Sequence, residues 1–326
     1  MPVTMAEVAA AAGVSVMTVS YTFSRPERVS ATTREHVREV ARRLGYAGPD
    51  PGARALRTRR TGTIGVVLGE HLTYAFEDPQ ATRFLAGVAS VCVSAGLGLT
   101  LIPVTGGPED PARVRAAAVD GYVVWTTGDD DPVLEVVTRR PAVVFGGPAV
   151  PGAGLVTIDD RAAAEAVGLA VFRGARRPAV VSFPLSRART PGLRHGPDPA
   201  SASFPVTRHR LAGYRDALVA LGVDWADVPV LVLARNDPAE ALSRFAELGD
   251  VDAVAAMGDQ VALALPRGPF RLAGWDDAAG AAEAGLTTVR QSLRDQGAAC
   301  ARQLVTGTLR TEHAAWELVE RASSSV

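Results

Sequence analysis

The chain has 326 residues, 47% of them hydrophobic, and a formal net charge of −1. That length and apolar content predict two or three domains with sizeable cores, and the overall charge excludes a chain that binds polyanions along its whole length. Charge is uneven, however: residues 1–60 carry ten Arg against five acidic residues, net +5, and the remainder carries 24 Arg against 30 acidic residues, net −6. A basic head on an acidic body suits a polyanion at one end only.

In chain order, the first predicted element is a short helix opened by Thr4-Met5-Ala6-Glu7, a capping box with Thr4 at the N-cap and Glu7 three residues on. It should bury Val8, Ala9 and Ala12, and Gly13 permits a tight turn. Ser15 caps a second helix, Val16 to about Phe23, with Val19 and Phe23 inward and Val16, Met17, Ser20 and Tyr21 outward. Two short helices joined this way form a helix-turn-helix, whose second helix lies in a DNA major groove. Ser30 caps a third helix, Ala31 to Leu44, with an apolar stripe of Val37, Val40, Ala41 and Leu44 and a polar side of Arg34, Arg38, Arg42 and Arg43. Gly45 stops it. The stretch AGPDPGARALRTRR has the composition of a linker.

From Thr61 short apolar runs alternate with longer amphipathic ones. Strands are predicted at 63–69, 97–104, 121–125, 142–146, 155–158, 178–183, 230–234, 252–257 and 271–275, with helices at about 79–95, 110–118, 131–139, 159–172, 208–222, 238–248 and 291–306. This alternation implies parallel sheets in α/β layers, and nine or more strands suit two sheets better than one. The segment SRARTPGLRHGPDPASAS (186–203) is rich in Pro, Gly and Ser and reads as a disordered loop, with a mobile lid as the alternative.

No GxxxxGK[ST], HExxH, GxSxG or GxGxxG signature is present, so no enzymatic activity and no cofactor are expected. The five His do not pair at ligand spacing, and Cys92 and Cys300 read as buried reduced thiols, so no metal site is expected. No apolar run reaches membrane-spanning length, and AEVAAAAGV is short, carries Glu7 and lacks a basic lead-in. A cytoplasmic protein without membrane contact is expected.

The stretches TMAEVAAAAGVSVMTVSYTFS, RVSATTREHVREVARRLGY and PGARALRT resemble, in order and spacing, the N-terminal domain of the LacI/GalR family of bacterial repressors. The resemblance extends through TGTIGVVL, TYAFEDP, VTIDDRAAA, RHRLAGYRDAL, AMGDQVALA, LAGWDD, LTTVRQSLRDQGAACARQLV and WELVERASS, nearly the whole chain. It implies an all-α helix-turn-helix head at 1–47, a hinge helix or linker at 48–60, and at 61–326 an α/β effector and dimerisation domain. That domain would have a type I periplasmic-binding-protein-like fold of two interleaved parallel-sheet subdomains. The implied function is that of a homodimeric transcriptional regulator, read as a repressor, on double-stranded operator DNA with an inverted repeat. A small-molecule effector, a sugar or related metabolite, would bind between the subdomains. The alternatives are a DNA-binding regulator without an effector, and a small-molecule-binding protein of periplasmic type that binds no DNA.

Carried over residue by residue, the resemblance places base contacts at Val16, Met17 and Tyr21, and phosphate contacts at Thr4, Ser15, Thr18, Ser20, Ser30 and Arg34. Val16 and Met17 offer only apolar surface, for example to a thymine methyl, and Tyr21 offers one hydroxyl, so a bidentate Arg–guanine contact is absent there. Leu56 is the expected minor-groove wedge and Arg54 a groove or phosphate contact. One extra residue between Tyr46 and Arg54, with Pro49, Pro51 and Gly52, departs from the family pattern. The expected effector contacts are Tyr74 and Phe76 after the first strand, Arg210, Asp259 and Asp276, a set that suits a polyhydroxylated or amide-bearing ligand. For Tyr74 and Phe76 the plainer alternative is packing at the cleft rim, and for Asp259 capping of the helix that starts at Gln260. Gly258 stands where relatives usually carry Asn, and only fourteen residues separate Gln260 from Trp275, which shortens one wall.

Overall fold

The computed structural model describes residues 3–48 and 60–325. Two compact units are present, Met1–Thr61 and Gly62–Val326. The expected hinge contacts Arg54 and Leu56, with Pro49 to Gly52, lie outside the described residues.

In the first unit, α1 (Met5–Ala12), α2 (Val16–Ser24) and α3 (Ala31–Leu44) follow the sequence closely. Thr4 Oγ1 accepts from the Glu7 amide at 3.3 Å while Glu7 Oε2 accepts from the Thr4 amide at 2.8 Å, closing the capping box. Ser15 and Ser30 cap α2 and α3. Gly13 (φ 64°) and Gly45 (φ 75°) end α1 and α3 in the left-handed region, which costs glycine no Cβ clash. Val8, Ala9, Val19, Val37, Val40 and Ala41 form the core, with Phe23 and Leu44 half-buried at its edge.

The second unit is built on two sheets. Six strands, β1 (Thr63–Leu68), β2 (Gly98–Pro103), β3 (Gly121–Trp125), β4 (Ala142–Phe145), β5 (Gly154–Thr157) and the later β12 (Thr311–His313), pair in parallel in the order β12-β5-β4-β3-β1-β2. Five more, β6 (Pro178–Ser182), β7 (Gly192–His195), β8 (Pro229–Val232), β9 (Ala253–Ala256) and β10 (Arg271–Ala273), take the order β10-β9-β6-β8-β7, parallel except at β7. The antiparallel pair β11 (Thr288–Gln291) and β13 (Trp316–Val319) completes the second lobe. Strands buried on both faces explain the unbroken apolar runs. Val123 packs with Phe84 and Cys300 on one face of the first sheet, while its neighbours Tyr122 and Val124 pack with Val137 and Ile102 on the other.

Helix Leu293–Thr306 follows β11 yet returns to the first lobe, where it packs on helix Pro79–Ser94. The two backbones meet at glycines: a Cβ on Gly87 would lie 1.9 Å from Arg294 O, and one on Gly297 2.2 Å from Phe84 O. That close approach brings Leu293 and Gln296 to the space between the lobes.

The loop expected at 186–203 is instead structured. Residues Gly192–His195 form the edge strand β7, antiparallel to β8 (Gly192 opposite Val232, His195 opposite Pro229), and Pro199–Ser201 make a 3-10 turn capped by Asp198. The antiparallel edge satisfies the backbone of a segment with too little apolar content to form a core of its own. Among the described residues no single helix is long and apolar enough to cross a membrane.

Candidate functional site: a helix-turn-helix face and an interlobe cavity

The head positions its exposed face through caps and a bend. α1 and α2 meet at 108°, within the range of DNA-binding helix-turn-helix pairs. Ser15 Oγ accepts from the Thr18 amide at 3.0 Å and shares a 2.9 Å hydrogen bond with Thr18 Oγ1, which fixes the first turn of α2. From that turn Val16 (48% exposed) and Met17 (60% exposed) stand free of the core, so Met17 is no core filler. Tyr21, one turn on and half-buried, lies beneath Arg28, whose guanidinium carbon is 5.8 Å from the ring centroid. Thr4, Ser15 and Ser30 spend their hydroxyls on helix ends, leaving the free amides of each first turn for an anion. Arg34 donates from Nη1 to Pro26 O at 3.1 Å, which pins the short turn Pro26–Arg28 to α3. Arg28 is a cation beside this face that sequence reasoning missed, because it lies in a turn without periodicity.

Between the lobes of the second unit is a cavity of about 140 Å³. Its walls come from the carboxyl ends of strands: Glu70 after β1, Trp125 at the end of β3, Phe145 on β4, Phe183 after β6 and Asp276 after β10. Open parallel sheets bind ligands at that end, where the chain leaves each strand toward its next helix.

Arg210 is central to it. The side chain is nearly buried on helix Pro205–Ala220, donates from Nε to Asp160 Oδ1 and from Nη1 to Met257 O, both at 2.8 Å, and lies flat on Trp275 with 3.8 Å to the ring centroid. Nη2 makes no hydrogen bond within the described residues. Burial raises the Asp160 carboxyl and the Arg210 charge opposes that rise. Asp276 sits at φ 105°, an unfavourable backbone for a residue with a Cβ, held by its amide bond to Val289 O at 2.8 Å. Gln291 Nε2 donates to Asp276 Oδ1 at 2.7 Å, and Gln296 Nε2 donates to Gln291 Oε1 at 3.0 Å. Burial pushes the Asp276 carboxyl up to about 7, against the opposing charge of Arg210. Gln80 Nε2 and Asn236 Oδ1, on two further lining side chains, are buried without hydrogen-bond partners.

Of the five expected contacts, Tyr74, Arg210 and Asp276 line the cavity, and Phe76 and Asp259 do not. Tyr74 and Phe76 share the one-turn helix Tyr74–Glu77 and, two residues apart, face opposite ways: Phe76 is 70% exposed. Asp259 is buried as an internal tie, its Oδ1 accepting from Thr288 Oγ1 and its Oδ2 from the Ala278 amide, both at 2.7 Å. It does not cap its helix either; Gly258 holds the N-cap position. Asn236 fills the place beside Gly258, since a Cβ there would stand 3.2 Å from Asn236 Oδ1. Asn236 and Trp125 adjoin predicted strand ends, and that position was the available signal for them.

Residues 4–48 match the family described as bacterial regulatory proteins, lacI family. Over 316 residues the chain is 40% identical to an HTH-type transcriptional regulator of Mycobacterium tuberculosis, covering 90% of this chain and 88% of the relative. The chain belongs to the LacI family. A LacI-family regulator of Corynebacterium glutamicum has a similar structure (TM-score 0.74, 26% identity, 98% of each chain covered), as does the complex of the transcriptional regulator CelR with cellobiose (TM-score 0.67, 26% identity, 98% of this chain and 99% of that one). The helix-turn-helix head and two-lobed α/β body are thus those of a LacI-family DNA-binding transcriptional regulator. Its matched relatives are regulators rather than enzymes.

Proposed function

We propose that this LacI-family protein is a cytoplasmic, non-enzymatic homodimeric repressor. Its two heads read an inverted-repeat operator and its interlobe cavity takes a sugar-like effector. The observation that carries the effector half is the cavity itself: aromatic walls from Tyr74, Trp125 and Phe183 surround the directional groups of Arg210, Asp276, Asn236 and Gln80. Rings covering apolar C–H faces with forked donors and acceptors on the hydroxyls are what a polyol requires. The CelR–cellobiose complex shows a sugar held by a structurally similar chain. Tyr74, Arg210 and Asp276 are the proposed contacts, and Phe76 and Asp259 are left out.

On DNA, Val16, Met17 and Tyr21 are the proposed base contacts, with Thr4, Ser15, Thr18, Ser20, Ser30 and Arg34 on phosphates. Arg54 and the wedge Leu56 would act in the adjoining groove. An effector can shift occupancy only through different affinities for the DNA-competent and DNA-incompetent states. Selection of duplexes from a random pool, followed by titration with cellobiose and ribose, tests both halves. Enrichment of an inverted repeat whose occupancy a sugar changes is the expected result; enrichment of none removes the proposal.

Tyr21→Ala is expected to lower affinity for the selected operator by about 1 kcal/mol, the scale of one hydroxyl hydrogen bond, and to leave random-sequence affinity nearly unchanged. Arg34→Ala should weaken both alike. Paired gel-shift titrations on operator and scrambled duplex measure the difference, and equal loss on both duplexes for Tyr21→Ala would refute the reading role.

A further inference from the structure

The segment 186–203 is anchored to the second lobe by β7 and grips the first lobe at both of its ends. At its start Arg187 Nη2 donates to Gly106 O at 3.2 Å, and Arg189 Nη2 donates to Gly69 O at 2.7 Å and to Glu70 Oε1 at 2.6 Å. At its end Ser203 O accepts from the Asp129 amide at 3.0 Å. Arg189 is held at φ 48° and also reaches Ala234 O from Nη1 at 3.3 Å. Both Arg189 and Glu70 line the cavity.

The charges facing the cavity among the described residues are two cations, Arg189 and Arg210, and three acids, Glu70, Asp160 and Asp276. Each cation is already paired, Arg189 with Glu70 and Arg210 with Asp160, and Asp276 makes no close ion pair among the described residues, although the Arg210 charge acts on it. Asp78 adds a further acid behind Asn236, accepting from Asn236 Nδ2 at 3.2 Å. Once Asp276 is ionised, above about pH 7, an anionic ligand entering this space meets three acids against two cations that each already serve one of them, and like charges held together in a desolvated site repel strongly.

We propose that the 186–203 strap makes the site selective for uncharged polyhydroxylated ligands. By closing Arg189 onto Glu70 it neutralises that cation in the cavity wall and so rejects phosphorylated or carboxylated sugars. This rests on the effector reading above and adds the charge class of the ligand.

The test is calorimetry with matched probes, glucose against glucose 6-phosphate and ribose against ribose 5-phosphate, on the full chain. Iodide and acrylamide quenching of Trp125 runs alongside it, with a Trp125→Phe variant as the reference for the other tryptophans. The wild-type protein should favour the uncharged probe by tenfold or more. Glu70→Gln, which leaves Arg189 without its acid, should shrink that ratio by about tenfold and admit iodide to Trp125. Arg189→Gln should produce neither gain. An ester bound as tightly as its parent sugar, or a ratio that Glu70→Gln leaves unchanged, overturns the proposal. If the wild-type protein binds none of the probes, the effector reading fails for these sugars and quenching decides the selectivity alone. Iodide reaching wild-type Trp125 as readily as acrylamide overturns it, and exclusion of iodide that Glu70→Gln relieves sustains it.

Discussion

Arg210→Ala is expected to abolish effector binding and to destabilise the effector domain by about 3–5 kcal/mol. The stability loss follows from Asp160, which is only 3% exposed and would be left as a buried acid without its partner. Asp160 would then take up a proton, so the loss should shrink at acid pH, where the neutral form is already favoured. Arg210 also covers the face of Trp275 and donates to Met257 O, and Ala replaces neither contact. Arg210→Lys keeps the charge without the planar fork and should recover only part of the stability. Urea unfolding of the wild type, Arg210→Ala, Asp160→Ala and the Arg210→Ala/Asp160→Ala double variant measures this. The double variant should be more stable than the sum of the single losses predicts. Strict additivity would show that the pair contributes no coupling.

Asp276→Asn is the second large effect, and its sign depends on pH. The folded protein holds the Asp276 proton up to about pH 7, whereas the unfolded chain releases it near the ordinary aspartate value of 3.8. Between those values the folded state binds more protons, so stability falls as pH rises from about 4 to about 7 and is level above. The gap between those two values corresponds to about 4 kcal/mol, absent at low pH and fully felt above pH 7. Asn keeps the shape without the charge, so Asp276→Asn should be more stable than wild type at pH 8 and indistinguishable from it near pH 3. Binding has the opposite slope. Ligand hydroxyls donate to the ionised carboxylate, so effector affinity should rise with pH through 7, with release of a proton, and then level off. Thermal unfolding across pH 3–9 and calorimetry across pH 5–9 read the two slopes, and identical pH profiles for the two proteins would contradict this role for Asp276.

What was legible in the sequence follows the range of the interactions involved. The head is local: Thr4–Glu7, Ser15 and Ser30 act within one turn, and Gly13 and Gly45 each stop a helix in place, so caps, turns and apolar stripe could all be read directly. Nine strands of the body were equally plain, most of them as apolar runs buried on both faces, while β2 and β10 are only partly buried. β7 and β11 to β13 were not predicted from such runs. β11 pairs with β13 across an intervening helix and strand (Thr288 opposite Val319), and β7 is a polar edge whose partner β8 lies more than thirty residues away. Long-range pairing of short polar segments leaves little periodic trace.

The cavity shows the same division. Arg210 and Asp276 were reached through family resemblance, and the structure adds what motif matching could not: Asp160 and Trp275 around the first, and Gln291 around the second. Phe76 was misplaced because a motif gives residue types and spacing but not which side of a single helical turn each occupies. Asp259 was misplaced because an acid at a strand end can turn inward to tie backbone, as its bond to the Ala278 amide does. Arg189 had no signal at all, lying in a segment whose composition reads as loop.

The most direct test of the central claim, that a basic head reads operator DNA under control of an interlobe ligand, is a salt titration of binding to the duplex selected by this protein, with and without a bound sugar. Log affinity is expected to fall linearly with log salt, because Arg side chains displace condensed counterions, and a sugar should shift the whole line. Affinity indifferent to salt, or a line that stays in place with every sugar bound in the cavity, would contradict it.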